Sequence, residues 1–174
     1  MKYQFLIVLA LFLISSKLEA QEISPFEAQG PPIDSLFPEF SYLTISGDSV
    51  DLKLLKEKVV VINIWFVGCK GCKQEEPYLK KITESHQDDS EVVFLGFCMS
   101  KPDKIIKYLE KNGEIGYQDI SLSRDEVLER FDVVMSPTHF VIKAGVLKAK
   151  YTGPIIPETK SLEWLSAEIN KWKN

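Results

Sequence analysis

Cysteine is scarce in this chain: three occur among 174 residues, at Cys69, Cys72 and Cys98. That is too few for a disulfide-stapled fold, and an odd count leaves one thiol without an intramolecular partner. A core of this size does without such staples. Histidine is scarcer still. His86 and His139 do not form an HxxxH pair, and no second CxxC exists, so the closely spaced ligands of a zinc site are missing. There is no excess of positive charge either, with 21 Lys and Arg against 25 Asp and Glu, a net −4. The lysines are interleaved with acids, so no nucleic-acid face is implied. Also missing is an apolar run of the ~20 residues that a membrane-spanning helix needs.

What is present begins with a shorter apolar run. Lys2 is followed by Phe5 to Ile14 (FLIVLALFLI) and a polar stretch ending at Leu18-Glu19-Ala20. A charged start, a short apolar centre and a small residue at the cut mark residues 1–20 as a signal peptide. Cleavage is expected after Ala20, although Leu18 departs from the usual small residue; an uncleaved anchor is the alternative. No Cys follows the run, which excludes a lipid-modified N-terminal Cys. The mature chain, without Lys2, Lys17 and Glu19, carries −5. Export places the protein in the periplasm, where paired cysteines oxidise unless something reduces them.

Residues 21–39 hold four prolines and a glycine and read as a flexible tether. The folded domain is expected over 40–174. Phe40 to Ile45, a Ser46-Gly47-Asp48 turn, then Val50 and Leu52 make a hairpin. Val59 to Trp65 (VVVINIW) and Val92 to Cys98 (VVFLGFC) are nearly continuous apolar runs, the pattern of strands buried on both faces. Cys69 to about Ser85 is helical in composition. A helix over Lys101 to Asn112 takes Ser100 as its cap, with Ile105, Ile106 and Leu109 on one face and Asn112-Gly113 as its stop. Ile120 to Leu122 is a short strand. Ser123-Arg124-Asp125-Glu126 is a capping box that opens a helix with Val127, Leu128 and Phe131 inward. Thr138 to Thr152 is a second hairpin. A last helix from near Pro157 aligns Leu162, Leu165, Ile169 and Trp172. Strands alternating with helices give an α/β fold with a mostly parallel sheet and a closing antiparallel hairpin.

The chemistry lies in Cys69-Lys70-Gly71-Cys72, which follows a buried strand and opens a helix. Open α/β sheets carry their sites at the carboxyl ends of strands. Unpaired N–H groups and the dipole at a helix N-terminus favour the Cys69 thiolate, the reactive form. Lys70 and Lys73 add positive charge. Two intervening residues put Cys72 one turn behind Cys69, a natural disulfide distance. Cys69, the more exposed, attacks; Cys72, deeper, resolves the mixed disulfide.

These segments resemble the TlpA- and ResA-like thiol–disulfide oxidoreductases of the thioredoxin superfamily, over about Phe40 to Lys171. The likeness is carried by Asn63, Trp65, Cys69, Cys72, Lys73, Glu75 and Pro77, and by Ser136-Pro137-Thr138. It implies a thioredoxin-like fold: a central mixed sheet flanked by helices, an N-terminal hairpin, and a strand–helix insertion between Lys101 and Phe131. It implies a cis Pro137 facing the dithiol, with the Ser136 backbone beside Cys69 and free to pair with an extended substrate. The reading calls for a monomer with no cofactor and no metal. Its partners are protein thiols and disulfides, with a membrane electron donor for re-reduction, as in cytochrome c maturation.

Three positions depart from the family. Gly68 replaces the usual Trp, which should leave the thiol more open. Lys70-Gly71 lacks the common proline. Asn63 stands where thioredoxins keep a buried Asp, and Asn accepts no proton at neutral pH. Proton transfer at Cys72 then falls to Glu75, to water or to no specialised group, and Glu75 also reads as a solvated helix-start carboxylate. Cys98 reads as a small core hydrophobe, with a third redox or copper-binding thiol as the alternative. His139 reads as structural or partly exposed. Two other functions fit the same residues less well. A peroxiredoxin needs Thr-x-x-Cys, and Phe66 stands at the Thr position. A Cu(I) chaperone suits two thiolates, but the related chaperones have three residues between their cysteines. The direction of electron flow is open: Lys70 favours a more oxidising pair, the resemblance a reductant.

Overall fold

The structure, a computed structural model, describes residues 28–173. The expected signal peptide and the first part of the tether lie outside the described residues. Among the described residues, no helix is long and apolar enough to cross a membrane.

Strands β1 (Ser41–Leu43) and β2 (Ser49–Asp51) pair as a small antiparallel sheet. The chain then alternates: β3 (Val59–Trp65), α1 (Lys70–Ser85), β4 (Val92–Cys98), α2 (Pro102–Asn112), β5 (Gln118–Ser121), α3 (Arg124–Phe131). It closes with the hairpin β6 (Thr138–Lys143) and β7 (Val146–Thr152), then α4 (Ser161–Trp172) after a short 3₁₀ turn. The main sheet runs β5-β4-β3-β6-β7. β3 is parallel to β4 and antiparallel to β6, and β5 is parallel to β4. The sheet is therefore mixed, and β3 is its centre.

That position explains the composition of β3, all seven residues of which are buried. Val60, Ile62 and Ile64 face one core with Val127 and Phe131 of α3. Val59 and Val61 face the other, with Leu79 and Ile82 of α1 and Leu165 and Ile169 of α4. Each such side chain contributes roughly 1.5–3 kcal/mol on burial. A third, smaller cluster joins Trp65, Cys69, Cys72 and Cys98 to Ile105 of α2. Cys98 is fully buried and unpaired.

Several local expectations differ from the structure. The described part of the tether, 28–39, is packed along the edge of β7. Leu36 bridges Val146, Asp34 N–H donates to Leu147 O and Phe37 N–H to Gly145 O. Phe37 is 2% exposed and stacks on Phe131. A segment that sends one side chain inward has no periodicity to read, so only the fold reveals it. Ser100 does not cap α2. Lys101 holds the cap position, Pro102 opens the helix, and the Ser100 hydroxyl instead accepts from Val67 N–H at 3.0 Å. Ile106 and Leu128 point outward while Ile105 and Val127 are buried. Adjacent residues lie ~100° apart around a helix, and each of these contacts is one side chain wide. β5 starts two residues earlier than the apolar run suggests. Ser123 does cap α3, accepting from Glu126 N–H at 3.0 Å, but the Glu126 carboxylate turns to Tyr42 and Arg130 rather than back to the cap.

Candidate active site

The central strand delivers the chain to the site. After Trp65 a short turn passes through Gly68 at φ +98°, a conformation suited to glycine, and Cys69 becomes the N-cap of α1. Its Sγ accepts from Cys72 N–H at 3.1 Å. Cys69 and Cys72 are joined as a disulfide with Cα atoms 5.3 Å apart. They are 6% and 4% exposed, so Gly68 has not opened the sulfur to solvent; the packing of Trp65, Val67 and Ile105 encloses it. What separates the two sulfurs is which space they face. Cys69 lines an open surface groove, whereas Cys72 lines a small inner cavity.

Opposite the dithiol, β6 begins after a cis Ser136–Pro137 bond. The Ser136 carbonyl oxygen lies 3.8 Å from Cys69 Sγ. Pro137 presses on Gly71, where an added Cβ would stand 3.1 Å from the ring. Glycine inside the CxxC thus permits this approach. Lys70 is exposed on the first turn. Lys73 is turned to Glu76 at 2.6 Å and Asn112 at 3.0 Å, and Glu76 also accepts from the Tyr108 hydroxyl.

Glu75 is fully buried, not a solvated carboxylate at the helix start. One oxygen accepts from Asn63 Nδ2 at 3.2 Å; the other accepts from Ile155 N–H at 2.9 Å and is hydrogen-bonded to His139 Nε2 at 3.0 Å. His139 is likewise fully buried, not partly exposed, and its Nδ1 has no hydrogen-bond partner among the described residues. Residues from β3, α1, β6 and the loop before α4 are tied together at one carboxylate directly below the site.

A second buried acid had no sequence signal. Asp119 of β5 accepts from the Trp65 indole N–H at 2.9 Å. Burial, aided by Glu114 and opposed by that hydrogen bond, pushes its carboxyl up to about 7. With Asn63, Cys72 and Tyr117 it lines the inner cavity, about 20 Å³, room for one water molecule. Asn63 Oδ1 and the Tyr117 hydroxyl have no hydrogen-bond partner among the described residues. Cys98 lies beside Trp65 in the sheet, and burial pushes its thiol up to about 12, so it is protonated at neutral pH.

The solved structure of a thioredoxin-family thiol:disulfide interchange protein from Chlorobium tepidum superposes with a TM-score of 0.65, covering 84% of this chain and 99% of that one at 21% identity. This likeness gives the fold, which is thioredoxin-like. The CxxC disulfide, together with relatives that carry the name thiol-disulfide oxidoreductase, sets the class, a thiol–disulfide oxidoreductase. The chain belongs to the AhpC/TSA family, whose profile matches residues 33–150. Among relatives, thioredoxin-like protein YneN of Bacillus subtilis is 27% identical over 118 residues, 67% of this chain and 69% of that one. Thiol-disulfide oxidoreductase ResA of Bacillus thuringiensis is 25% identical over 105 residues, 60% of each chain.

Proposed function

We propose that the chain is an exported reductase of protein disulfides that works through Cys69 and Cys72. The observation that carries this reading is the Cys69–Cys72 disulfide at a helix N-terminus beside the Ser136 carbonyl. In the reduced protein, the helix terminus and Lys70 favour the Cys69 thiolate. That thiolate attacks one sulfur of a substrate disulfide; the substrate S–S bond breaks and the first thiolate leaves. Cys72, having given up its proton, attacks Cys69 Sγ and expels the second thiolate. Two electrons pass to the substrate, and the enzyme ends as the disulfide. Both released thiolates take protons from solvent.

The other residues take supporting roles. Pro137 and the Ser136 backbone hold an extended substrate segment by strand-like pairing. Glu75 fixes α1 against β6, and Trp65 closes the floor. The apolar run at Phe5–Ile14 supports export by a signal peptide and a periplasmic location. A membrane electron donor returns the disulfide to the dithiol, and the enzyme acts as a monomer, with cytochrome c maturation as its setting. That setting rests on the resemblance to the TlpA- and ResA-like proteins carried by Asn63, Cys69, Cys72 and Pro137.

Insulin reduction and partner trapping test the proposal. Cys72→Ser should accumulate a mixed disulfide through Cys69, visible as a thiol-sensitive band, and Cys69→Ser should lose turnover. Full turnover in Cys69→Ser would sink it.

A further inference from the structure

The groove outside Cys69 holds about 950 Å³ and is walled by the first turn of α1 and by α2. Five lysines line it: Lys70 and Lys73 from α1, and Lys104, Lys107 and Lys111 from α2. No Asp or Glu does. This is an unusual segregation for a chain of net charge −4. Lys104, Lys107 and Lys111 recur at three- and four-residue steps, so they share one helix face. The acids of the same helix, Asp103 and Glu110, stand outside the groove. Of the five lysines, Lys73 alone has a carboxylate partner, Glu76. Among the described residues, Lys70, Lys104, Lys107 and Lys111 make no ion pair.

An ordinary solvated helix face mixes signs, because like charges three or four residues apart repel by a few tenths of a kcal/mol. Here four unpaired ammonium groups are gathered on a concave wall that opens onto the sulfur assigned to attack. Walls of one charge focus the field in a cleft and raise the local concentration of oppositely charged ligands. The lysines are not interleaved with free aromatic rings of the kind on which bases stack; Tyr108, the one ring in the wall, is engaged by Glu76. Cys69, at one end of the lysine wall, is itself 3.8 Å from the Ser136 carbonyl, where an extended backbone can pair.

We propose that this groove is the substrate-recognition site and that it selects disulfides carried on acidic polypeptide segments. The selection rests on the dithiol reading above. The lysines hold the carboxylates that flank the substrate cysteines and bring the disulfide to Cys69; they take no part in the exchange itself. The contribution falls mainly on the encounter rate and is screened by salt.

Two synthetic peptides test this, identical except for four Asp or four Lys around one intramolecular disulfide, reduced by the pre-reduced protein. At low salt the acidic peptide should react about tenfold faster or more, and the advantage should collapse at 0.3 M salt. The variant Lys104→Glu/Lys107→Glu/Lys111→Glu should reverse the preference. The quantity compared is the ratio of the two peptide rates within each protein, which a general change in reactivity at Cys69 does not move. Equal rates for the two peptides, or a variant that slows both alike, would overturn the proposal. Fluorescence anisotropy of a labelled, disulfide-free Asp-rich decapeptide on the oxidised protein reads the groove without the chemistry. Binding no tighter than to the triple variant also overturns it. Intact binding with no reduction of any disulfide would instead overturn the dithiol reading and leave the groove standing.

Discussion

Asp119 shows how much one side chain can carry. It stands on β5 with its carboxyl against the Trp65 indole, in a space that exists because residue 96 is glycine: a Cβ there would fall 2.0 Å from Asp119 Oδ1. Burial raises its carboxyl to about 7 from an ordinary 3.8. Between those values the native state binds more protons than the unfolded chain, so this group makes stability fall as pH rises from about 4 to 7 and level off above. The full span is worth roughly 4 kcal/mol as an upper bound at 1.36 kcal/mol per pH unit. Asp119→Asn keeps an oxygen for the indole and removes the titration. Denaturant unfolding should find it more stable than the parent at pH 8 by on the order of 2 kcal/mol, with little difference at pH 4. An unchanged pH profile would show that Asp119 is not the group responsible. Cys98 makes the contrasting case: its thiol, raised to about 12, stays a core side chain at any physiological pH.

At the scale of elements, local rules decide where helices begin. α1 starts at Cys69 because its sulfur accepts the Cys72 N–H, so the residue that carries the chemistry also caps the helix. α3 starts at Ser123 for the same reason, with a hydroxyl in place of the sulfur. Ser123→Ala should cost about 1 kcal/mol of global stability, read as a lower denaturation midpoint. Insulin reduction should not change, since α3 lies on the sheet face opposite α1. The faces of the helices were harder to read. Apolar neighbours such as Ile105-Ile106 and Val127-Leu128 satisfy the same periodicity. Only the width of the surface they meet decides that the first of each pair turns in and the second out.

Across the whole molecule, the sheet order brings distant segments to one end. The dithiol of α1, the cis bond before β6 and the lysine face of α2 meet because β3 is the central strand, parallel to one neighbour and antiparallel to the other. The folded unit also begins earlier than the first strand, with residues 28–39 laid on the edge of β7. Phe37 fills the core between Phe131 and Phe140. Phe37→Ala should therefore destabilise the protein by about 3–5 kcal/mol, measured by chemical unfolding. A loss under 1 kcal/mol would mean that the segment is only loosely attached.

The sequence by itself determined the dithiol, the buried strand ahead of it and the helix that starts on it. Each of these is written within a dozen consecutive residues, by apolar runs, spacing or a capping position. The surroundings of the dithiol were decided by tertiary structure. Glu75 and His139 are 64 residues apart, and Trp65 and Asp119 are 54 apart. The groove lysines come from two helices with β4 between them. Burial of an acid, or convergence of unpaired lysines, depends on what encloses a group from all sides. A chain that alternates sign along its length can still sort its charges once folded, and so five lysines interleaved with acids in sequence line the groove at Cys69 with no acid beside them in its wall.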